Sequence, residues 1–193
     1  MTYNCISLNT LILKAGLEYT KVILSGFSCP QNKEIEKFIK TKAIDFERIN
    51  LTWTFLIFIR VDNSLKLVAF YSLGLGRVVI RKKLTRKQKK QYFGTTYPIG
   101  KDISTVLIGQ ISKNYSFDHQ KYVKGSDIIN IIIEKLVEIN KSISAVSVQI
   151  ECEDVNNLKL FYEQFGFKFL YKNDKNNLCT YLIPTSKLLE KGT

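Results

Sequence analysis

A single histidine, His119, and four cysteines that never fall into a C-x-x-C pair leave no constellation for a zinc ion, so no metal is expected. Nowhere does an apolar run approach the roughly 20 residues that a membrane helix needs. The longest candidate, LTWTFLIFIRV, is too short and carries Arg60. The first residues, MTYNCISLNTLILKAGLEY, lack a basic start followed by an apolar run with small residues at its end. A signal peptide is therefore not expected, and a cytoplasmic protein with reduced thiols at Cys5, Cys29, Cys152 and Cys179 is. Internal repeats and long low-complexity tracts are absent too. Acidic residues are few: 17 against 29 lysines and arginines, a net charge of +12. Much of the excess lies in one window, RKKLTRKQKKQ from Arg81 to Gln91, which holds seven basic residues and no acid. A concentrated basic segment attracts a polyanion, although charge runs are also common on solvated loops.

What is present suits one domain over residues 1–193, with a core over about 23–182 and a basic insertion at 77–98. CPQNKEIEKFIKTKAIDFERIN places Ile35, Phe38, Ile39, Ala43 and Phe46 on one helical face. LTWTFLIFIRV alternates: Trp53, Phe55, Ile57 and Ile59 take one side, and a strand with one fully buried face is expected. The turn Asp62–Ser64 then leads to a second strand, LKLVAFYSLGL, as a hairpin. Past the basic window and the loop GTTYPIG comes a third strand, DISTVLIGQISKN. GSDIINIIIEKLVEINKS reads as a helix whose polar stripe is narrow, so most of it must be covered. SAVSVQIEC alternates as a strand. DVNNLKLFYEQF is a short helix stopped by Gly166, and FKFLYK and LCTYLIP close the chain as a hairpin. This order predicts an α/β layer fold with helices on both faces of a mixed sheet.

That order, with these local sequences, resembles the GNAT family of N-acetyltransferases over roughly Ile23 to Leu182. FYEQFGF is similar to the family's F-Y-E-x-x-G-F signature; VLIGQIS is similar to its central strand; KGSDIINIIIEKL is similar to the helix after its cofactor loop. FSCPQNKEIEKFIKTKA further resembles the toxin-type acetyltransferases. The resemblance implies a GNAT-like, mostly antiparallel central sheet with splayed middle strands, and acetyl-CoA as cofactor. By it, Gln120, Lys121, Tyr122, Val123, Lys124 and Gly125 align with the family's Q/R-x-x-G-x-G/A, with Ser126 starting the helix. A helix N-terminus after such a loop is an anion site, which the family uses for the pyrophosphate of coenzyme A. Val123 departs from the pattern: it stands where the family has glycine, and a β-branched residue disfavours positive φ. Ile111, Ser112 and Lys113 match the strand edge whose amides pair with the pantetheine arm.

The same match places Tyr162 beside the thioester sulfur. A phenol with an ordinary pKa of about 10 can protonate a departing thiolate or hold it by a hydrogen bond. A proton acceptor for the attacking amine is not assigned; Glu151 and Glu153, near the end of a strand, are generic candidates. Toxin-type relatives act on the aminoacyl end of tRNA, which makes Arg81, Lys82, Lys83, Arg86, Lys87, Lys89 and Lys90 candidates for its phosphates. Tyr92, Phe93 and Tyr97 are candidates for stacking on an unpaired 3′ end, or for pinning the loop to the core. An antitoxin partner and a homodimer are implied in the same way, and a membrane partner is not expected. Two alternatives stay open: an acetyltransferase for a protein or small-molecule amine, and a non-catalytic module that binds nucleic acid or a partner protein.

Overall fold

The computed structural model describes residues 2–80, 83–96, 98, 100–142 and 144–190. After a short strand, β1 (Asn4–Ser7), the Ser7 hydroxyl accepts the N–H of Thr10 at 3.1 Å and opens α1 (Leu8–Ala15). Gly16, at φ +85°, ends that helix and lets α2 (Leu17–Ser25) start in a new direction. The sequence pattern shows none of these three elements, because each is too short for a period to declare itself. Asn32 caps the next helix by accepting the N–H groups of Glu34 and Ile35, both at 3.1 Å. That helix is α3 (Lys33–Lys37), which passes through one wide π turn (Phe38–Lys42) into α4 (Ala43–Arg48). The turn re-phases the helix, and Phe38, Ile39 and Ala43 all end buried, as their spacing predicts.

β2 (Thr52–Val61) departs from its expected pattern. Thr54 to Ile59 are buried without alternation, so both faces are covered, while Trp53 is 47% exposed. The strand lies between two others, and a bulge between Ile57 and Phe58 shifts its register against β3 (Ser64–Val79). The basic window holds a second departure. It is not a plain loop: Thr85 and Gln88 form a reciprocal capping box, and α5 (Arg86–Phe93) follows, closed by Gly94 at φ +70°. The remaining elements are β4 (Asp102–Lys113), a 3-10 segment (Ser116–Tyr122), α6 (Gly125–Asn140), β5 (Ser147–Cys152), α7 (Asn156–Gln164), β6 (Lys168–Lys172), β7 (Cys179–Pro184) and α8 (Thr185–Leu189).

The strands form a seven-stranded sheet in the order β1-β2-β3-β4-β5-β7-β6. The ladders β1–β2, β2–β3, β5–β7 and β6–β7 are antiparallel, and β4–β5 is parallel. The chain divides into two compact units, Met1–Gly74 with Gln110–Ile132, and Leu75–Gly109 with Ile133–Thr193. Leu8, Leu24, Phe27, Ile39, Leu56 and Phe70 form the core of the first, with the Phe27 and Phe70 rings edge to face at 5.0 Å. Val78, Leu84, Tyr92, Phe93, Ile103 and Leu182 form a cluster of the second. Among the described residues no helix is long and apolar enough to cross a membrane, and all four cysteines are free thiols.

Candidate active site

In the first unit the site candidates are the end of β4 and the loop into α6. The Gln110 N–H donates to the Ser72 hydroxyl at 2.9 Å. Of Ile111, Ser112 and Lys113, only Ser112 is buried, and its hydroxyl lies 3.2 Å from the Cys29 sulfur. Asn114 then staples the loop. Its side chain donates to Leu67 O at 2.8 Å and accepts the N–H groups of Ser28 and Ser116 at 3.0 Å. His119 Nδ1 donates to the same Leu67 carbonyl at 3.0 Å, so the lone histidine fixes the loop.

Val123 has φ −141° and ψ 132°, ordinary extended backbone, and is 2% exposed. It fills the core, and the loop makes no demand for positive φ there. The left-handed residues are instead Phe117 and Asp118, at φ 50° and 57°. Gln120 Oε1 is buried with no hydrogen-bond partner among the described residues. Lys121 lies 5.2 Å from the Tyr122 ring centroid. At the helix start, the N–H groups of Gly125 and Ser126 donate to no described residue, whereas that of Lys124 donates to Asp127 Oδ2 at 2.8 Å.

That Lys124 N–H is the main reason the Asp127 carboxyl titrates below the usual range; Tyr3, Lys124 and Lys113 add to it. The Tyr3 hydroxyl lies 2.8 Å from Asp127 Oδ2 and 3.1 Å from Tyr122 O. Burial, then the bond to Asp127, pushes Tyr3 up to about 12. Tyr3, Asn114 and Asp127 were not singled out from the sequence. The signal that existed was Asp127, which stands two residues past the loop's final glycine, in the first turn of a helix, where a carboxylate is favoured.

In the second unit the parallel ladder between β4 and β5 consists of Val106–Val148, Leu107–Gln149 and Ile108–Ile150. It stops there, although β5 continues to Cys152 and β4 to Lys113. Tyr162, on α7, is 9% exposed and packed between Phe161 and Phe167, with ring centroids 5.3 and 6.2 Å away. Its hydroxyl makes no hydrogen bond to a described residue. Burial, and after it the charge of Cys152, pushes the phenol up to about 12. Burial likewise raises the Cys152 thiol to about 11, with its register partner Cys179 adding to the shift. Both groups keep their protons at neutral pH.

The two generic carboxylates separate. Glu153 is exposed in the turn before α7, whereas Glu151 is half-buried and accepts a hydrogen bond from Gln149 Nε2 at 3.0 Å. Asp154 fastens α7 through ion pairs to Lys159 of that helix and to Lys172 of β6.

α5 packs on β6 and β7. Lys83, Arg86, Lys87 and Lys90 are exposed and Lys89 is half-buried; none pairs with an acid among the described residues. Arg81, Lys82 and Tyr97 lie outside the described residues. Tyr92 and Phe93 are not free to stack on a ligand: they are 8% and 4% exposed, and the Tyr92 hydroxyl donates to Phe169 O at 2.8 Å. Their apolar area holds the helix to the sheet.

No protein-family model matches this sequence, and no curated protein does. Solved structures match over the full length. A tyrosine-to-phenylalanine mutant of KacT is 14% identical over 99% of this chain and 99% of that one, with a TM-score of 0.71. AtaT complexed with acetyl-methionyl-tRNAfMet is 14% identical over 100% of both chains, with a TM-score of 0.70. A mutant AtaT toxin bound to the C-terminus of the antitoxin AtaR and acetyl-CoA is 14% identical over 100% of this chain and 98% of that one, with a TM-score of 0.64. The chain has the fold of these proteins.

Proposed function

We propose that this chain is an acetyl-CoA-dependent N-acetyltransferase of the toxin type, with the α-amino group of an aminoacyl-tRNA as acceptor. The observation that carries the reading is the β4–β5 ladder that stops at Ile108–Ile150, in a chain whose α7 holds an unbonded, buried phenol at Tyr162. The fold shared end to end with KacT and AtaT supports it, and so does the complex of AtaT with acetyl-methionyl-tRNAfMet.

The residues present fit the cofactor. Open N–H groups at Gly125 and Ser126 and the charges of Lys113, Lys121 and Lys124 make a donor set for a diphosphate. Asp127 opposes part of that charge. The main chain of Ile111 to Lys113 would hold the amide-rich arm as an added strand does. Acetyl-CoA, when bound, supplies the acetyl group as a thioester. Tyr162 supplies a hydrogen bond to the departing sulfur. A phenol that keeps its proton to about 12 would give it outright to a thiolate of ordinary basicity only uphill, by roughly 5 kcal/mol. Donation without transfer is the smaller demand. The cations of α5 and Lys83 would bind the phosphates of the acceptor; the exposure of Lys83, Arg86, Lys87 and Lys90 supports that reading.

Incubation with labelled acetyl-CoA and either charged tRNA or a panel of amine-bearing peptides tests the reading. Label is expected on the aminoacyl-tRNA. Label on peptides alone would move the acceptor to protein amines, and coenzyme A titrated without heat or thermal shift would leave only a binding module.

A further inference from the structure

Thr105, Gln149 and Glu151 form a chain of hydrogen bonds inside the second unit. The Thr105 hydroxyl donates to Gln149 Oε1 at 2.8 Å, and Gln149 Nε2 donates to Glu151 Oε1 at 3.0 Å. Thr105 and Gln149 are 1% and 3% exposed. A glycine makes room for them: a Cβ on Gly76 of β3 would lie 2.4 Å from Thr105 Oγ1 and 2.8 Å from Gln149 Oε1. A buried amide costs free energy where an apolar side chain would pack as well, and its neighbours Val148 and Ile150 are such side chains.

The hydrogen-bond directions are fixed by the ends of the chain. Turning the amide over would set its oxygen against the carboxylate. Glu151 is thus held by Oε1, while Oε2 meets no described donor. A second polar atom stands in the same place. Thr180, the register partner of Glu151 on β7, is fully buried, and its hydroxyl has no partner among the described residues.

Alternation along β5 puts Ser147, Gln149 and Glu151 on one face, and Val148, Ile150 and Cys152 on the other. The first face is the one α5 covers, because the Ser147 hydroxyl donates to Tyr92 O at 2.7 Å. The second faces Tyr162, whose surroundings include Cys152. Just beyond the last pair of the β4–β5 ladder, consecutive residues therefore present a held carboxylate on the side of the basic helix and a neighbour of the phenol on the other.

We propose that Glu151 receives the acceptor's amino group on the α5 face and takes its proton, with Gln149 and Thr105 as positioning residues that hold the carboxylate. The reaction, though not the amine site, rests on the acetyl-transfer reading above. As the N–C bond to the acetyl carbon forms and the C–S bond breaks, the proton leaving nitrogen goes to Glu151 Oε2. The sulfur departs as a thiolate hydrogen-bonded to Tyr162. Glu151 then yields its proton to water and the thiolate takes one from water, so the balance is amine plus thioester to amide plus thiol.

The test needs no turnover at first. Methionine methyl ester, an α-amino ester, is added to the carbon-13-labelled protein, and the Glu151 carboxyl resonance is followed. It is expected to shift with the ester, and to shift less in Gln149→Leu. With acetyl-CoA present, Glu151→Gln is expected to lower turnover of the ester on the order of 100-fold, with coenzyme A affinity unchanged. The loss persists as pH rises through the ester's own titration, because the nitrogen of a neutral amine still sheds a proton as the N–C bond forms. Gln149→Leu, which keeps the space filled and removes the hydrogen bonds to Thr105 and Glu151, is expected to lower kcat about tenfold. A resonance indifferent to the ester, or full turnover in Glu151→Gln, overturns the inference. If the wild type makes no acetylated product while the resonance still responds, acetyl transfer is what fails and the amine site stands.

Discussion

At the first turn of α6 the groups offered to a ligand are main-chain N–H groups, those of Gly125 and Ser126, backed by lysine charge. At α7 and the strand before it they are side-chain atoms, the Tyr162 hydroxyl and a Glu151 oxygen. The difference decides how much substitution each region tolerates. A main-chain donor survives a change of side chain provided the backbone path is kept. A phenol or a carboxylate does not survive loss of its oxygen. The two regions should therefore respond in opposite ways when each is altered at its most conspicuous residue.

Tyr162→Phe carries the largest expected effect. The ring still packs between Phe161 and Phe167, so stability and coenzyme A affinity should hold. Turnover should fall about 100-fold or more, as for removal of one donor to developing charge. Steady-state kinetics with calorimetric binding separates the two. A variant with unchanged kcat would remove the phenol from the chemistry.

Val123→Gly is the matching change in the other region, and it restores the glycine that the family pattern has. If the loop were impaired by its valine, coenzyme A should bind more tightly. The geometry predicts otherwise. Val123 is 2% exposed on extended backbone, so glycine removes buried area and adds unfolded-state entropy, costing about 2–3 kcal/mol. A lower melting temperature without a gain in affinity is expected; tighter binding at equal stability would contradict the placement of this side chain.

These two positions also show what the sequence disclosed. FYEQFGF was legible as a family-like pattern because its side chains stand at fixed spacing on a helix that Gly166 follows. The long periodic elements, α6 and β4, were legible because burial imposes a period. Val123 misled, since a rule about φ was applied where φ is negative. The strand β1 and helices α1 and α2 were too short to show periodicity. The basic window hid α5 because its charge drew more notice than the Thr85–Gln88 cap. The Thr105–Gln149–Glu151 chain was invisible because its members sit on two strands and need the empty space at Gly76.

Reversing the charge at Lys87, Lys89 and Lys90 should weaken binding of charged tRNA by about tenfold at low salt and less at high salt. The slope of log affinity against log salt should fall, since each phosphate contact removed lowers it by nearly one. Binding of coenzyme A should not change. An unaltered salt slope would take these lysines out of the RNA interface and leave α5 as a covering helix only.

The smallest effect is expected at Asp154, which ties α7 to β6 through Lys159 and Lys172. Lys159 first, then Lys172, holds its carboxyl down to about 2. The folded value lies below the unfolded one of about 4. Its contribution is therefore fully present above pH 4 and is lost as pH falls through the folded value near 2. The group is open to solvent, so salt should weaken the contribution as well. Asp154→Asn should lower the melting temperature slightly at pH 7, and the gap to the wild type should close toward pH 2 and in high salt. Because Lys159 sits on the helix that carries Tyr162, kcat should drop by less than about threefold while coenzyme A affinity holds. A melting gap that ignores both pH and salt would mean that Asp154 acts through the turn before α7 and not through its charge, and that Tyr162 is set by the packing of Phe161 and Phe167 alone.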